Sequence, residues 1–198
     1  IDGHIWNESS WLVRAARTVE RWLLRRSAVV ITLTHARIQT VLALGDISVN
    51  KVKVIPTCVD LDRFTPEDFE LAKPQTQFCY HGSLGTWYDT DRLASCVEMV
   101  RSMGHTFVAA VNDIESPEAA RLVEAGARVV SLPFAEVPAL LRSTDVSVFF
   151  IEPSDSKIAS MPTKLGEALA SGLPILTGPG IGDVDALVSR AKVYLCWG

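Results

Sequence analysis

Apolar and polar positions alternate in blocks along this chain, and the blocks become regular from Thr76 onward. Short apolar or β-branched runs are there separated by amphipathic stretches of helical spacing, the pattern of strands and helices in turn. Strands are predicted over 77–81, 106–111, 129–132, 146–151, 173–177 and 192–196. Helices are predicted over 90–103, with Leu93, Val97 and Val100 inward, over 117–125 and 136–143, after Pro162, and over 184–189. Such alternation predicts an α/β fold, a Rossmann-like parallel sheet with helices on both faces and right-handed crossovers.

The first third reads differently. Residues 8–27 form a predicted helix whose apolar stripe is Trp11, Leu12, Ala15, Ala16, Val19, Trp22 and Leu23, with Arg14, Arg17, Arg21, Arg25 and Arg26 elsewhere around it. A packed helix with a solvated face explains this pattern, and so does a basic amphipathic helix lying on an anionic bilayer. Strands are predicted over 28–34 and 52–55, with a helix over 35–44 between them. The polar stretch 65–75 holds two prolines and is the expected interdomain linker. Charge supports a division there. Residues 1–66 carry nine Lys and Arg against six Asp and Glu, whereas 67–198 carry ten against seventeen. The expected domains are therefore 1–66 and 67–198.

The candidate chemistry lies in 152–178, EPSDSKIASMPTKLGEALASGLPILTG, a loop, short helix and strand following the 146–151 run. Pro162 fits the start of a helix. Leu165, Ala168 and Leu169 share one helical face, and Lys164, Glu167 and Ser171 share another. Gly172 and Pro174 end the helix. A helix start after a parallel strand points unpaired N–H groups at the crevice where ligands bind, and it suits phosphate. Lys164 opposes the helix dipole, which fits an anion placed between them. The same lysine also reads as an ordinary solvated residue.

The remaining composition narrows the classes. The net charge of −4 makes no case for a nucleic-acid partner. Cys58, Cys79, Cys96 and Cys196 lack metal or disulfide spacing, so reduced thiols are expected. No apolar run is long enough to span a membrane, and no signal peptide is evident. The turn His81-Gly82-Ser83-Leu84-Gly85 is not the nicotinamide fingerprint; Gly82 there either lets a backbone approach a ligand or makes a tight turn.

The segment Ser160-Met161-Pro162-Thr163-Lys164-Leu165-Gly166-Glu167-Ala168-Leu169-Ala170-Ser171-Gly172-Leu173-Pro174 resembles the signature of family-4 glycosyltransferases of the GT-B fold. The stretch from Pro56 to Phe64 resembles the segment closing the first domain of those enzymes, with Cys58 in place of the usual glycine. The resemblance implies the C-terminal half of a GT-B fold over 67–198 and a remnant of the N-terminal, acceptor-side domain over 1–66. A start at Ile1 and an end just after a strand lead us to expect a fragment that is inactive alone.

The resemblance further implies transfer of a sugar from a UDP- or GDP-linked donor to a glycan or lipid-linked acceptor, with retention, no metal ion and no other cofactor. Donor contacts are then expected from Gly82, Ser83, Pro133, Ser160, Pro162, Thr163, Lys164 and Glu167. Lys164 would face the diphosphate, and Glu167 would accept hydrogen bonds from ribose hydroxyls. His4, beside Asp2, is a second catalytic candidate, because GT-B enzymes often carry a histidine near the donor sugar. Two departures stand out. The 84–89 loop has no cation where the family commonly has one, and Ala159 stands where many relatives have a first glutamate. A non-catalytic nucleotide-sugar-binding domain on the same fold is the alternative. Location is expected in the cytoplasm, with peripheral contact at the inner membrane face if the first helix binds lipid.

Overall fold

The computed structural model describes residues 10–66, 74–191 and 194–196. His4 and the middle of the expected linker lie outside the described residues. The chain divides into two compact units. The first comprises Ile1–Thr57, Pro153–Met161 and Gly180–Leu187, and the second Cys58–Glu152, Pro162–Pro179 and Val188–Gly198.

This division differs from a single boundary after residue 66. The 58–66 segment belongs to the second unit because it delivers an aromatic anchor there. Phe64 is buried, and its ring centroid lies 6.1 Å from that of Phe134. Two loops from the second half of the chain belong to the first unit because polar contacts hold them. Thr34 Oγ1 donates to the carbonyl of Ile158 at 2.7 Å, and the Gly182 amide donates to the carbonyl of Lys157 at 3.0 Å.

In the first unit, α1 (Trp11–Arg26) and α2 (Ile38–Gly45) accompany two parallel strands, β1 (Val30–Thr32) and β2 (Val52–Val54). Ser10 caps α1. The expected apolar stripe is not the face that packs: Val13, which lies off it, is buried, whereas Trp11, Val19, Trp22 and Leu23 are each more than half exposed. The helix expected from His35 begins only at Ile38. The carboxylate of Asp183 accepts from the amides of His35 and Ala36 at 2.6 and 3.0 Å, so these residues are committed to a turn.

The second unit holds β3 (Gln77–Gly82), β4 (Thr106–Val111), β5 (Arg128–Val130), β6 (Val146–Phe149), β7 (Ile175–Thr177) and β8 (Tyr194–Cys196). They form one parallel sheet in the order β5-β4-β3-β6-β7-β8. Helices α3 (Thr90–Ser102), α4 (Pro117–Glu124), α5 (Val137–Arg142) and α6 (Thr163–Ala170) alternate with the strands and flank the sheet, and α7 (Val184–Ala191) follows β7 in sequence, its residues through Leu187 belonging to the first unit. Asp89 caps α3, and Ser116 with Pro117 starts α4. Leu93, Val97, Phe107, Leu122, Leu141, Phe149 and Ile175 fill the core. Each such side chain contributes about 1.5–3 kcal/mol by leaving water.

Several strands are shorter than the sequence predicts, and for β6 and β7 the backbone shows why. β6 stops at Phe149 because the carbonyl of Phe150 accepts from the Asp89 amide at 3.2 Å and the Glu152 amide donates to the Trp87 carbonyl at 3.0 Å. The chain there leaves the parallel ladder to pair antiparallel with the loop after β3, with Tyr88 opposite Ile151. β7 starts at Ile175, since Pro174 has no N–H to give the ladder. Among the described residues no helix is long and apolar enough to cross a membrane.

Candidate functional site

The strand order reverses between β3 and β6. From β3 the chain builds outward through β4 and β5, then returns to β6 on the other side. In open parallel sheets, ligands bind outside the carboxyl ends of the strands at such a reversal. Here that position is formed by the end of β3, the loop after it, and the start of α6.

Pro162 precedes α6 in extended conformation, and no side chain caps the helix. Its positive end therefore has no built-in acceptor side chain. Lys164 and Glu167 sit one turn apart, and both are buried, 6% and 8% exposed. Lys164 does not stand in solvent as a surface lysine. Its Nζ reaches over the end of β3 and donates to the hydroxyl of Tyr80 at 3.2 Å. The ammonium lies 4.2 Å from the ring centroid of Tyr80 and 3.9 Å from that of Tyr88.

The Tyr80 hydroxyl spends its proton on the carbonyl of Ser83, which leaves its oxygen to accept from Lys164. Burial, with the nearby Tyr88 as a smaller cause, raises the Tyr80 phenol far above its ordinary range, so it stays protonated. Burial likewise pushes the Cys79 thiol up to about 12. The same desolvation pulls Lys164 down to about 7, against the opposing pull of Glu167 and Cys79.

Glu167 points elsewhere. Its Oε2 lies 2.8 Å from Nε2 of His81. An ionised carboxylate only accepts, so the proton sits on Nε2. The other ring nitrogen, Nδ1, is buried and has no hydrogen-bond partner among the described residues.

Gly82 ends β3 at φ 121°, a backbone region that L side chains rarely adopt. A Cβ built there would lie 2.9 Å from Nζ of Lys164. The glycine thus makes room for the lysine. Arg92, in the first turn of α3, stacks over Phe150 at 5.5 Å, and a Cβ at Gly178 would lie 2.8 Å from its Nη1. This arginine carries a second cation to the sheet's carboxyl end.

The structure gathers Gly82, Ser83, Lys164 and Glu167 around the end of β3. Thr163 is exposed as the first residue of α6. Pro133 is exposed at the carboxyl end of β5, two strands from β3, and its carbonyl accepts from the Glu136 amide at 2.9 Å. Ser160 belongs to the first unit, where its amide donates to the carbonyl of Lys157 at 3.0 Å. Sequence reasoning missed Tyr80, His81 and Tyr88. For Tyr80 and His81 the signal was weak but present, large polar side chains at the carboxyl end of a strand just before a glycine, whereas Tyr88 lies in the loop beyond it.

No family model and no curated protein sequence matches the chain. Its fold does have solved counterparts. A glycosyltransferase from Rickettsia africae ESF-5 aligns with a TM-score of 0.67 at 12% identity, over 92% of this chain and 52% of that one. The fold is that of the GT-B glycosyltransferases. Anabaena HepE, solved with UDP and glucose, aligns with a TM-score of 0.58 at 16% identity, over 87% and 50% of the two chains. AviGT4, a glycosyltransferase involved in avilamycin A biosynthesis, gives 0.61 at 16%, over 85% and 49%. The chain spans about half the length of these GT-B structures.

Proposed function

We propose that this chain is the donor-binding part of a family-4 glycosyltransferase that moves a sugar from a UDP- or GDP-linked donor to a glycan or lipid-linked acceptor. The observation that carries the reading is Lys164 at the uncapped start of α6, beside the end of β3 at the strand-order reversal. As the glycosidic bond of the donor breaks, negative charge develops on the leaving diphosphate. The fixed N–H groups of α6 and the ammonium of Lys164 stabilise that charge without reorganising. With Oε2 of Glu167 bound to His81, Oε1 is the oxygen available to the ribose hydroxyls. Retention of anomeric configuration and independence of metal are part of this proposal and follow from the family resemblance.

The test is binding of UDP and GDP to the full-length protein, beside Lys164→Ala and Glu167→Ala. Each substitution is expected to weaken binding by about 1–3 kcal/mol, the scale of a charged hydrogen bond. Unchanged affinity in both variants removes the site. A donor screen with product analysis then separates a transferase from a non-catalytic nucleotide-sugar binder and reads the anomeric outcome.

The proposal extends to a peripheral site at an anionic membrane face. Its support is α1, where Trp11, Val19, Trp22 and Leu23 are exposed beside Arg14, Arg17, Arg21, Arg25 and Arg26.

A further inference from the structure

Lys164 is a buried cation with an unusual set of neighbours. β3 presents to it the ring and hydroxyl of Tyr80, and the Cys79 thiol acts on it electrostatically. The loop after β3 presents the ring of Tyr88, which is half-buried. On its own helix the charged neighbour is Glu167, and that carboxylate is bound to His81. Among the described residues, no carboxylate forms an ion pair with Nζ. Two aromatic faces and one hydroxyl oxygen attract an ammonium. They do not neutralise it, so its lost hydration is only partly replaced.

We propose that Tyr80 and Tyr88 are positioning residues that hold Lys164 without a carboxylate partner, so that an entering diphosphate and a proton bind together. This rests on the donor-binding reading above and adds a regulation to it. The proton comes from solvent, joins the lone pair of Nζ, and displaces nothing covalent. The anion supplies a countercharge in contact with Nζ, where the site's own carboxylate, Glu167, acts without an ion pair.

The sign follows from linkage. In the empty site burial holds Lys164 at about 7. A bound diphosphate favours the charged form and raises that value. Below pH 7 the lysine is already protonated, and affinity gains nothing more from it. Above pH 7 each binding event takes up a proton, so affinity falls by about tenfold per pH unit until the value of the bound state is reached. The Cys79 thiol and the Tyr80 phenol are raised too far to contribute there, and the Tyr88 phenol is also raised.

The test is an NMR titration of the full-length protein carrying 13C-labelled lysine, with Lys164→Arg used to assign the resonance. It is run empty and with UDP, GDP or inorganic pyrophosphate. The expected midpoint is near 7 in the empty protein, and it rises by about one pH unit or more with the diphosphate. Tyr88→Phe keeps this behaviour, because the ring face remains. Tyr88→Leu removes one of the two ring faces that attract the ammonium and moves the empty-site midpoint further below the ordinary lysine value. Thermal unfolding of that variant checks that the fold survives.

An empty-site midpoint near the ordinary lysine value overturns the inference. So does a midpoint that no diphosphate moves, or a Tyr88→Leu titration identical to wild type. A midpoint raised by pyrophosphate but by neither nucleotide supports the coupled proton and overturns the donor reading instead.

Discussion

His81 and Glu167, on β3 and α6, meet at 2.8 Å in a buried contact, and that contact takes from Lys164 the carboxylate one turn along its own helix. The pair fixes the helix to the centre of the sheet and leaves the lysine to the tyrosines. Its removal therefore affects more than one residue. Glu167→Ala leaves both nitrogens of a buried imidazole unpartnered and is expected to cost about 1–3 kcal/mol of stability. Glu167→Gln keeps an acceptor oxygen in the same place and is expected to recover much of that loss. Urea unfolding of the two variants beside wild type measures the difference.

Gly82→Ala sets two costs against each other at one position. The backbone at φ 121° is strained by any L side chain, and the new methyl meets Nζ of Lys164 at 2.9 Å. The strain costs on the order of 1–3 kcal/mol. The lysine is the softer partner and gives way, so the variant is expected to lose nucleotide affinity as well as stability. Unfolding and UDP titration on the same sample read both effects.

Gly182→Ala tests the first unit. A Cβ there falls 2.2 Å from the carbonyl oxygen of Ser160 and 2.7 Å from Cγ2 of Thr34, at φ 46°. Backbone cannot rotate away as a lysine tail can. The expected loss is about 1–3 kcal/mol or more, seen as a lowered urea midpoint.

Asp183 gives an acid dependence. Burial works against its charge, but the amides of His35 and Ala36 and the His35 imidazole donate to it and hold its carboxyl below the usual range. A depressed value in the folded state means stability that is complete above the ordinary carboxylate value of 3.8 and is lost as pH falls through the folded value. Asp183→Asn is therefore expected to be less stable than wild type by about 1–2 kcal/mol at neutral pH. The gap should narrow below about pH 4, where wild type loses the same charge. Denaturant unfolding at neutral and acid pH compares them.

The exposed stripe of α1 predicts sedimentation with vesicles of anionic lipid and not with neutral ones. Arginines near such a surface contribute about 1 kcal/mol each. Arg14→Glu with Arg21→Glu, or Trp11→Ala with Trp22→Ala, should release the protein, and salt should weaken the first kind of contact more than the second. Vesicle binding unaffected by either pair would overturn the assignment of that contact to α1.

The alternation of apolar runs and amphipathic stretches was enough to read the parallel sheet, because β3, β4, β6 and β7 are largely buried runs, each bounded by its own turn, and the short β5 at the sheet edge follows the same rhythm. Lys164 and Glu167 were legible for a similar local reason: both lie in one helix, next to its start. Their partners were not. Tyr80, His81 and Tyr88 sit about 80 positions earlier in the chain, and only the reversal of strand order brings β3 beside β6. The expected domain boundary failed to anticipate the loops at 153–161 and 180–187 for the same cause. Thr34 and Asp183 hold them through contacts more than 100 residues apart in sequence. Side-chain periodicity describes what a segment buries, and it does not name the neighbour.

The order β5-β4-β3-β6-β7-β8 also shapes how the chain is made. The strand synthesised first in this sheet is an interior one. By the time β5 leaves the ribosome, β3 has a finished neighbour on one side and a bare row of amides and carbonyls on the other, until β6 arrives. Phe78 and Cys79 lie along that waiting edge. A pause in translation before residue 146 would hold the nascent protein in its most aggregation-prone form, and chaperone demand should peak there rather than at the finished fold.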